Sequence, residues 1–334
     1  VSLIHKVAGK TDLGLVRPGN EDYLHLDEEN AVYAVCDGMG GHQAGEVASM
    51  AASETIRTLF NHFRNDLADD PRLSIGQTLP NSGDLLLKSI RMANRHVYTR
   101  AATDPAFAGM GTTVVSVAFE GDMMSVAHVG DSRAYRLELK KLQPLTKDHS
   151  WVSEMQENQQ VSEEDALSVI GKNVITRALG VRENVEIDYR LIKVKPGDII
   201  ILCSDGLCGF ADDDEIFGAV DRVRTDIKRI VDDLVQMAND RGGADNVTVI
   251  AIEVKQVDAS QIPEMETFTL PGESQELLQV EDEWLAKVAA FEAEHPQQRS
   301  QAPSGKSSSK LLLTLIFVAF VIVACAFIYF QSTK

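Results

Sequence analysis

Apolar and polar positions fall into two recurring patterns between about Lys10 and Val254. The first is a set of short runs rich in valine, isoleucine and tyrosine, closed by turn residues: AVYAVC, TTVVSVAFE, MMSVAHVG, RAYRLE, DIIILCS and NVTVIAIEV. Side chains of this kind suit a pleated surface, and the runs predict strands. TTVVSVAFE and MMSVAHV are joined by a short turn, which predicts antiparallel neighbours. The second pattern is apolar residues at helical spacing. GEVASMAASETIRTLFNHFRN carries Val47, Met50, Ala51, Ile56, Leu59, Phe60 and Phe63 along one face, which predicts a helix. DLLLKSIRMANRHVYTRA and DIKRIVDDLVQMANDRG behave likewise, the latter ending on glycines suited to a helix stop. The acidic run Asp212 to Glu215 reads as a helix start, where carboxylates favour the dipole. Helices outside paired strands predict an α+β layer arrangement.

After Val254 the pattern changes. GESQELLQVEDEWLAKVAAFEAE is acidic, with Leu277, Trp284, Val288 and Phe291 on one helical face. It reads as an amphipathic helix docked on the domain or a partner, or as a marginal helix in a linker. HPQQRSQAPSGKSSSK is polar and rich in proline and serine, a flexible tether. Leu311 to Phe330 is an uncharged apolar run with a single threonine. As a helix at ~1.5 Å per residue it would span roughly 30 Å, the thickness of a bilayer's hydrocarbon core. The expected organisation is a folded domain over 1–255, a helix and linker over 256–310, and a transmembrane helix over 311–330. Lys306 and Lys310 precede that run and Lys334 follows it, and VSLIHKVAGK lacks the apolar core of a signal peptide. Both features place the long N-terminal part in the cytoplasm, as a single-pass protein of the cell membrane.

The chain has 334 residues and a formal net charge of −18. Such a charge argues against nucleic acid as a partner, and any anionic substrate needs positive charge from elsewhere. The cysteines Cys36, Cys203, Cys208 and Cys325 form no Cys-x-x-Cys pair, which disfavours a zinc knuckle or a thioredoxin-like site. Cys36 and Cys203 lie inside apolar runs as small hydrophobes.

The candidate chemistry lies where the strands stop. AVYAVC ends at Asp37-Gly38, MMSVAHV at Gly130-Asp131 and DIIILCS at Asp205-Gly206; Asp245 immediately precedes NVTVIAIEV, and Glu21 and Asp22 close RPGNED. One Asp-Gly pair is an ordinary turn. Several, each ending an apolar run, predict carboxylates gathered at one rim of the sheets. Clustered carboxylates repel one another and lose hydration, so they call for a cation. An all-oxygen set favours Mg²⁺ or Mn²⁺ over zinc. Two such ions would also supply positive charge to an anionic substrate and lower the pKa of a water held between them. Arg17, four residues before Glu21, offers a guanidinium fork for a phosphate.

The ordered set TDLGLVRPGNED, VCDGMGGHQAGEVAS, GMGTTVV, AHVGDSRAYRL, LTKDHSWV, ITRALG, GDIIILCSDGL and DNVTVI resembles the metal-dependent serine/threonine protein phosphatases (PPM, or PP2C) in their bacterial form. The resemblance implies a four-layer α/β/β/α sandwich, two central antiparallel sheets flanked by helices, with two Mn²⁺ or Mg²⁺ ions at one end. It implies that Arg17 binds the substrate phosphate, that Asp37 bridges both metals, and that Gly38 ligates through its carbonyl. Asp205 and Asp245 would hold the first metal. Glu21 and Asp22 would orient waters around the second, and Asp131 would hold a weaker third ion. The implied reaction is single-step attack by a metal-bridging hydroxide on phosphoserine or phosphothreonine.

The sequence departs from the family where Met39 follows Asp37-Gly38. Many eukaryotic members carry their proposed acid histidine there; here the candidate is His42, either acid or loop histidine. Cys208 and Gly209 stand where relatives commonly carry a hydroxyl residue and an acid. Ser150 to Val174 falls where the family has a mobile flap. His128 and His149 read as structural. The expected partners are phosphorylated proteins, substrates of a membrane-associated Ser/Thr kinase. The competing reading is a catalytically weak phosphatase-like membrane sensor or scaffold. An aspartyl-phosphate hydrolase of the haloacid type is set aside, because Met39 occupies the position of its second aspartate.

Overall fold

The structure, a computed structural model, describes residues 4–41, 43–138, 141–157, 174–272 and 274–295. The expected transmembrane run 311–330, its tether, His42 and most of the flap lie outside the described residues. Among those described, no helix is long and apolar enough to cross a membrane. A compact unit closes at Ala293.

In chain order the strands are β1 (Ile4–Asp12), β2 (Asp22–Asp27), β3 (Val32–Met39), β4 (Gly111–Thr112), β5 (Val114–Glu120), β6 (Met123–Val129), β7 (Arg133–Leu137), β8 (Leu142–Pro144), β9 (Ile187–Lys193), β10 (Ile199–Cys203), β11 (Val247–Gln256) and β12 (Met265–Leu270). The helices are α1 (Ala44–His62), α2 (Arg64–Ala68), α3 (Asn81–Thr103), α4 (Trp151–Glu157), α5 (Asp205–Cys208), α6 (Asp213–Arg222), α7 (Ile227–Asp240) and α8 (Gln275–Glu294). One sheet runs β1-β11-β10-β7-β8; the other runs β12-β9-β6-β5-β3-β2, with β4 hung on β3. The ladders are antiparallel.

Each central strand is apolar on both faces, which is why its sequence reads as a run. In β3, Tyr33 and Val35 enter the core between the sheets, while Val32, Ala34 and Cys36 face α1 and α3. In β10, Ile200 and Leu202 enter the same central core, while Ile199, Ile201 and Cys203 face α6 and α7. Period-two alternation thus serves three apolar layers at once. Each fully buried aliphatic side chain contributes about 1.5–3 kcal/mol relative to exposure. The result is the expected α/β/β/α sandwich.

The strands the apolar runs did not predict are β1, β2, β8, β9 and β12. β1, β2, β8 and β12 lie at sheet edges, and in β9 Asp188 and Arg190 alternate with buried positions, which masks the pattern. The expected stop at Asp37 is corrected: β3 continues to Met39 by exchanging partners, Gly38 pairing with Thr112 and Met39 with Gly111. The acidic run forms the expected helix start, a capping box in which Asp212 accepts from Glu215 N and Glu215 accepts from Asp212 N.

α8 docks on the domain. Leu278, Glu281, Trp284 and Val288 are buried, so Leu278 takes the place expected of Leu277, which is only half-buried. Trp284 Nε1 donates to Asp70 Oδ2 at 3.0 Å. Arg95 holds Asp282 through Nε and Nη2 at 2.6 and 2.7 Å and reaches Glu183 at 2.8 Å.

Candidate active site

A cleft of about 250 Å³ opens where the ends of the two sheets meet, and its lining includes Arg17, Glu21, Asp37, Gly38, Asp131, Asp205 and Asp245. Asp22 stands behind it, buried and opposite Asp37 in the β2–β3 ladder. Every expected site residue among those described therefore converges on one place. Larger open space exists between α6 and α7 around Arg222, Arg229 and Arg241, with Asp233 and Asp240 in its lining.

Strand ends place the carboxylates, and hydroxyls brace the backbone of Asp37 and the side chain of Asp22. Asp37 N donates to Thr113 Oγ1 at 3.1 Å, and Thr113 N donates to Asp37 O at 2.9 Å. Ser204, just before Asp205, donates from Oγ to Asp22 Oδ2 at 2.7 Å and accepts from Thr248 N at 3.0 Å. Two glycines allow the backbone to crowd the cleft. A methyl group on Gly38 would lie 2.1 Å from Gly45 O, and one on Gly206 would lie 1.9 Å from Asn246 O.

Nothing in the residue pattern singles out Asn246 beyond its place beside Asp245. Its side chain organises the loop bearing Arg17: Nδ2 donates to Leu13 O and Gly19 O at 2.9 and 3.0 Å, and Oδ1 accepts from Glu21 N at 2.8 Å. A buried amide that satisfies three loop groups is visible only after folding. Arg17 then reaches across with Nη2 2.7 Å from Asp245 Oδ2. That guanidinium is about half exposed, so it borders the mouth rather than the floor.

The electrostatics are those of an acidic cluster without enough counter-charge. Burial, then the charges of Asp22, Asp205 and Asp131, holds Asp37 well above the usual carboxylate range; Asp37 and Asp205 share a hydrogen bond. Burial lifts Asp22 to about 7, with Asp205 and Asp245 adding to it. Burial also lifts Asp131 to about 7, with Asp205 and Asp148 adding to it. Glu21 and Asp205 are raised by burial as well. Asp22 Oδ1 and Glu21 Oε1 are buried without a hydrogen-bond partner among the described residues. Orphaned carboxylate oxygens with raised pKa values, in an all-oxygen set, fit hard divalent cations.

A second grouping, His128, His149 and Asp188, brings potential ligand atoms within 4.8 Å of one another. Most of its polar atoms are engaged, and His149 Nε2 lies 3.2 Å from Asp188 Oδ2 within the group. His128 Nε2 meets Lys147 O at 2.7 Å, His149 Nδ1 accepts from Gly130 N at 3.1 Å, and Arg177 Nη1 holds Asp188 Oδ1 at 3.0 Å. His149 N also donates to Gly130 O at 2.9 Å. The pair thus braces the turn that carries Asp131, the structural role expected of these histidines.

A sandwich of antiparallel sheets with oxygen ligands and one guanidinium at its end defines the architecture of a metal-dependent phosphate-ester hydrolase. The family profile described as protein phosphatase 2C matches residues 18–250. The chain is 34% identical over 247 residues to the serine/threonine phosphatase stp of Listeria monocytogenes, covering 73% of this chain and 94% of that protein. It is 31% identical over 304 residues to the serine/threonine protein phosphatase PstP of Mycobacterium tuberculosis, covering 90% of this chain and 54% of that protein. Among solved structures, the catalytic domain of PstP in complex with two manganese ions superposes with a TM-score of 0.63 at 32% identity, covering 76% of this chain and all of that one. The chain belongs to the protein phosphatase 2C family.

Proposed function

We propose that this chain hydrolyses phosphoserine and phosphothreonine in proteins, using two Mn²⁺ or Mg²⁺ ions held at the sheet ends and tethered to the cytoplasmic face of a membrane. The observation that carries the chemistry is the convergence of Asp37, Asp131, Asp205 and Asp245 with Glu21 and Arg17 in one cleft. The manganese ions of the PstP catalytic domain support the same cofactor.

In this reading Asp37 and the Gly38 carbonyl would help hold both ions, Asp205 and Asp245 would hold one of them, Glu21 and Asp22 would orient waters around the other, and Asp131 would hold a weaker third. When bound, the ions supply Lewis acidity, activating water at neutral pH and offsetting phosphate charge. Arg17 supplies the protein's own positive group, and its hold on Asp245 positions it at the mouth for a phosphate. Thr113, Ser204 and Asn246 keep the carboxylates and the Arg17 loop in place. The catalytic groups lie within 1–255, β12 and α8 complete the same compact unit, and the chain after it leads to an apolar span at 311–330. The twenty-residue uncharged run supports the tether, and substrates of a membrane-associated Ser/Thr kinase are its natural targets.

The test is phosphate release from a phosphothreonine peptide with and without Mn²⁺. Metal-dependent release that Asp37→Asn abolishes is expected. No release at any metal concentration would favour a catalytically weak sensor or scaffold instead. Separately, recovery of the full chain in the soluble fraction of cells would remove the tether.

A further inference from the structure

We infer that the mouth of the cleft is an apolar collar that selects phosphopeptides with aliphatic residues flanking the phosphorylated one; this rests on the phosphatase reading above. Leu15 and Val16 are 69% and 67% exposed, the most exposed large apolar side chains among the described residues. They immediately precede Arg17, whose guanidinium sits on Asp245 in the cleft. The loop that presents them is held from inside. Leu15 N donates to Gly243 O at 2.8 Å, and Asn246 Nδ2 donates to Leu13 O at 2.9 Å. Their outward orientation is thus built into the backbone.

The β3 side of the mouth is apolar too. Met39 and Ile175 line the cleft, and Val181 is 54% exposed. A methyl group built on Gly111 would meet Met39 Cε at 2.6 Å and Val181 Cγ2 at 3.1 Å. These two side chains therefore close over Gly111, the strand partner of Met39. Val181 also borders a second groove of about 290 Å³ that runs from Thr176 to Gly272. Val181 and Val185 are the branched aliphatic part of a lining that also holds Arg177, Arg182 and Glu186.

An extended peptide advances ~3.3 Å per residue, so neighbours of a residue whose phosphate enters the cleft lie within about 7 Å of its mouth. Met39 lines the cleft, Leu15 and Val16 precede the cleft-lining Arg17, and Val181 lies beside Met39 at Gly111. These four side chains offer no hydrogen bond to polar flanks. Aliphatic flanks gain by covering them, and a buried aliphatic contact is worth roughly tenfold in discrimination.

The experiment uses the full chain with Mn²⁺, p-nitrophenyl phosphate, and phosphothreonine peptides that differ only in carrying leucine or serine at the flanking positions. The expected wild-type kcat/KM ratio of leucine to serine peptides is about tenfold. In the double variant Leu15→Ser/Val16→Ser, and separately in Val181→Ser, the ratio falls toward one while p-nitrophenyl phosphate turnover is unchanged. A wild-type ratio of one, or a ratio that both variants leave intact, with the aryl ester still hydrolysed, overturns the collar and leaves the phosphatase. A ratio of one with a dimer that the double variant abolishes assigns the patch to a second copy, which also overturns it. Failure of the wild type to hydrolyse any ester removes the phosphatase reading, and the collar with it.

Discussion

Asp22 and Asp37 face each other across the β2–β3 ladder, two carboxylates in register at the end of a buried sheet. Their repulsion and lost hydration oppose folding of the metal-free chain. Asp37→Asn removes one of the charges. It is expected to stabilise the chelator-treated protein by about 1–3 kcal/mol in urea denaturation while abolishing phosphate release. A variant that loses both stability and activity would contradict this balance.

The raised carboxylates set a pH dependence for the metal-free protein. Asp22 and Asp131 titrate at about 7 in the fold, against about 3.9 in the unfolded chain. A raised acid favours the native state fully below its unfolded pKa, and that contribution is lost as pH rises through the folded value. Melting temperature in chelator should therefore fall between pH 4 and 7. Mn²⁺ should restore it, with a gain that grows with pH as ions displace protons. A gain independent of pH would mean that the ions bind elsewhere.

Buried histidines give the opposite slope. Burial lowers His25 and His128 to about 4, so both are neutral in the fold. The stability of keeping them neutral is present above the unfolded value near 6.5 and is lost as pH falls toward 4. Each contributes at most about 3 kcal/mol to acid destabilisation. With metal bound, urea midpoints should drop from pH 6.5 to 4.5, and His128→Asn, which keeps a donor for Lys147 O, should flatten that drop.

Trp284 tests whether α8 belongs to the domain energetically. It is buried at 3% exposure, donates to Asp70 and packs edge-on to Phe63. Trp284→Ala is expected to cost about 3–5 kcal/mol. Asp70→Asn should cost about 1–3 kcal/mol by weakening the indole bond and the Arg72 pair. Circular dichroism melts would detect both, and a cost near zero for Trp284→Ala would make the helix an ornament.

Arg17 is half exposed and bonded to Asp245. Arg17→Lys keeps the charge but loses the planar fork. KM for phosphopeptides is expected to rise about tenfold with a smaller change in kcat, and with no change in melting temperature. A selective fall in kcat would instead place the guanidinium on the transition state.

Much of this protein was legible from its residues because buried strands must be apolar on both faces. AVYAVC, DIIILCS and NVTVIAIEV could belong nowhere else. The acidic turns that end them were legible for the complementary reason: a carboxylate halting an apolar run is costly without a task. β1 escaped because it is an edge strand with one side wet, and β9 because Asp188, Arg190 and Lys193 interrupt its buried positions. Asn246 escaped because nothing in an Asp-Asn pair announces that its amide will tie together Leu13, Gly19 and Glu21.

By itself, then, the sequence determined the local elements, the sites of the carboxylates along the chain, and an uncharged run long enough to span a bilayer. Those are properties of spacing and polarity within a few residues. Only the tertiary structure decided that Arg17 meets Asp245 across more than two hundred residues, that β3 passes Asp37 by changing partners, and that α8 folds back onto the domain. Such choices depend on which buried surfaces fit together, and that complementarity exists only once both sheets have formed.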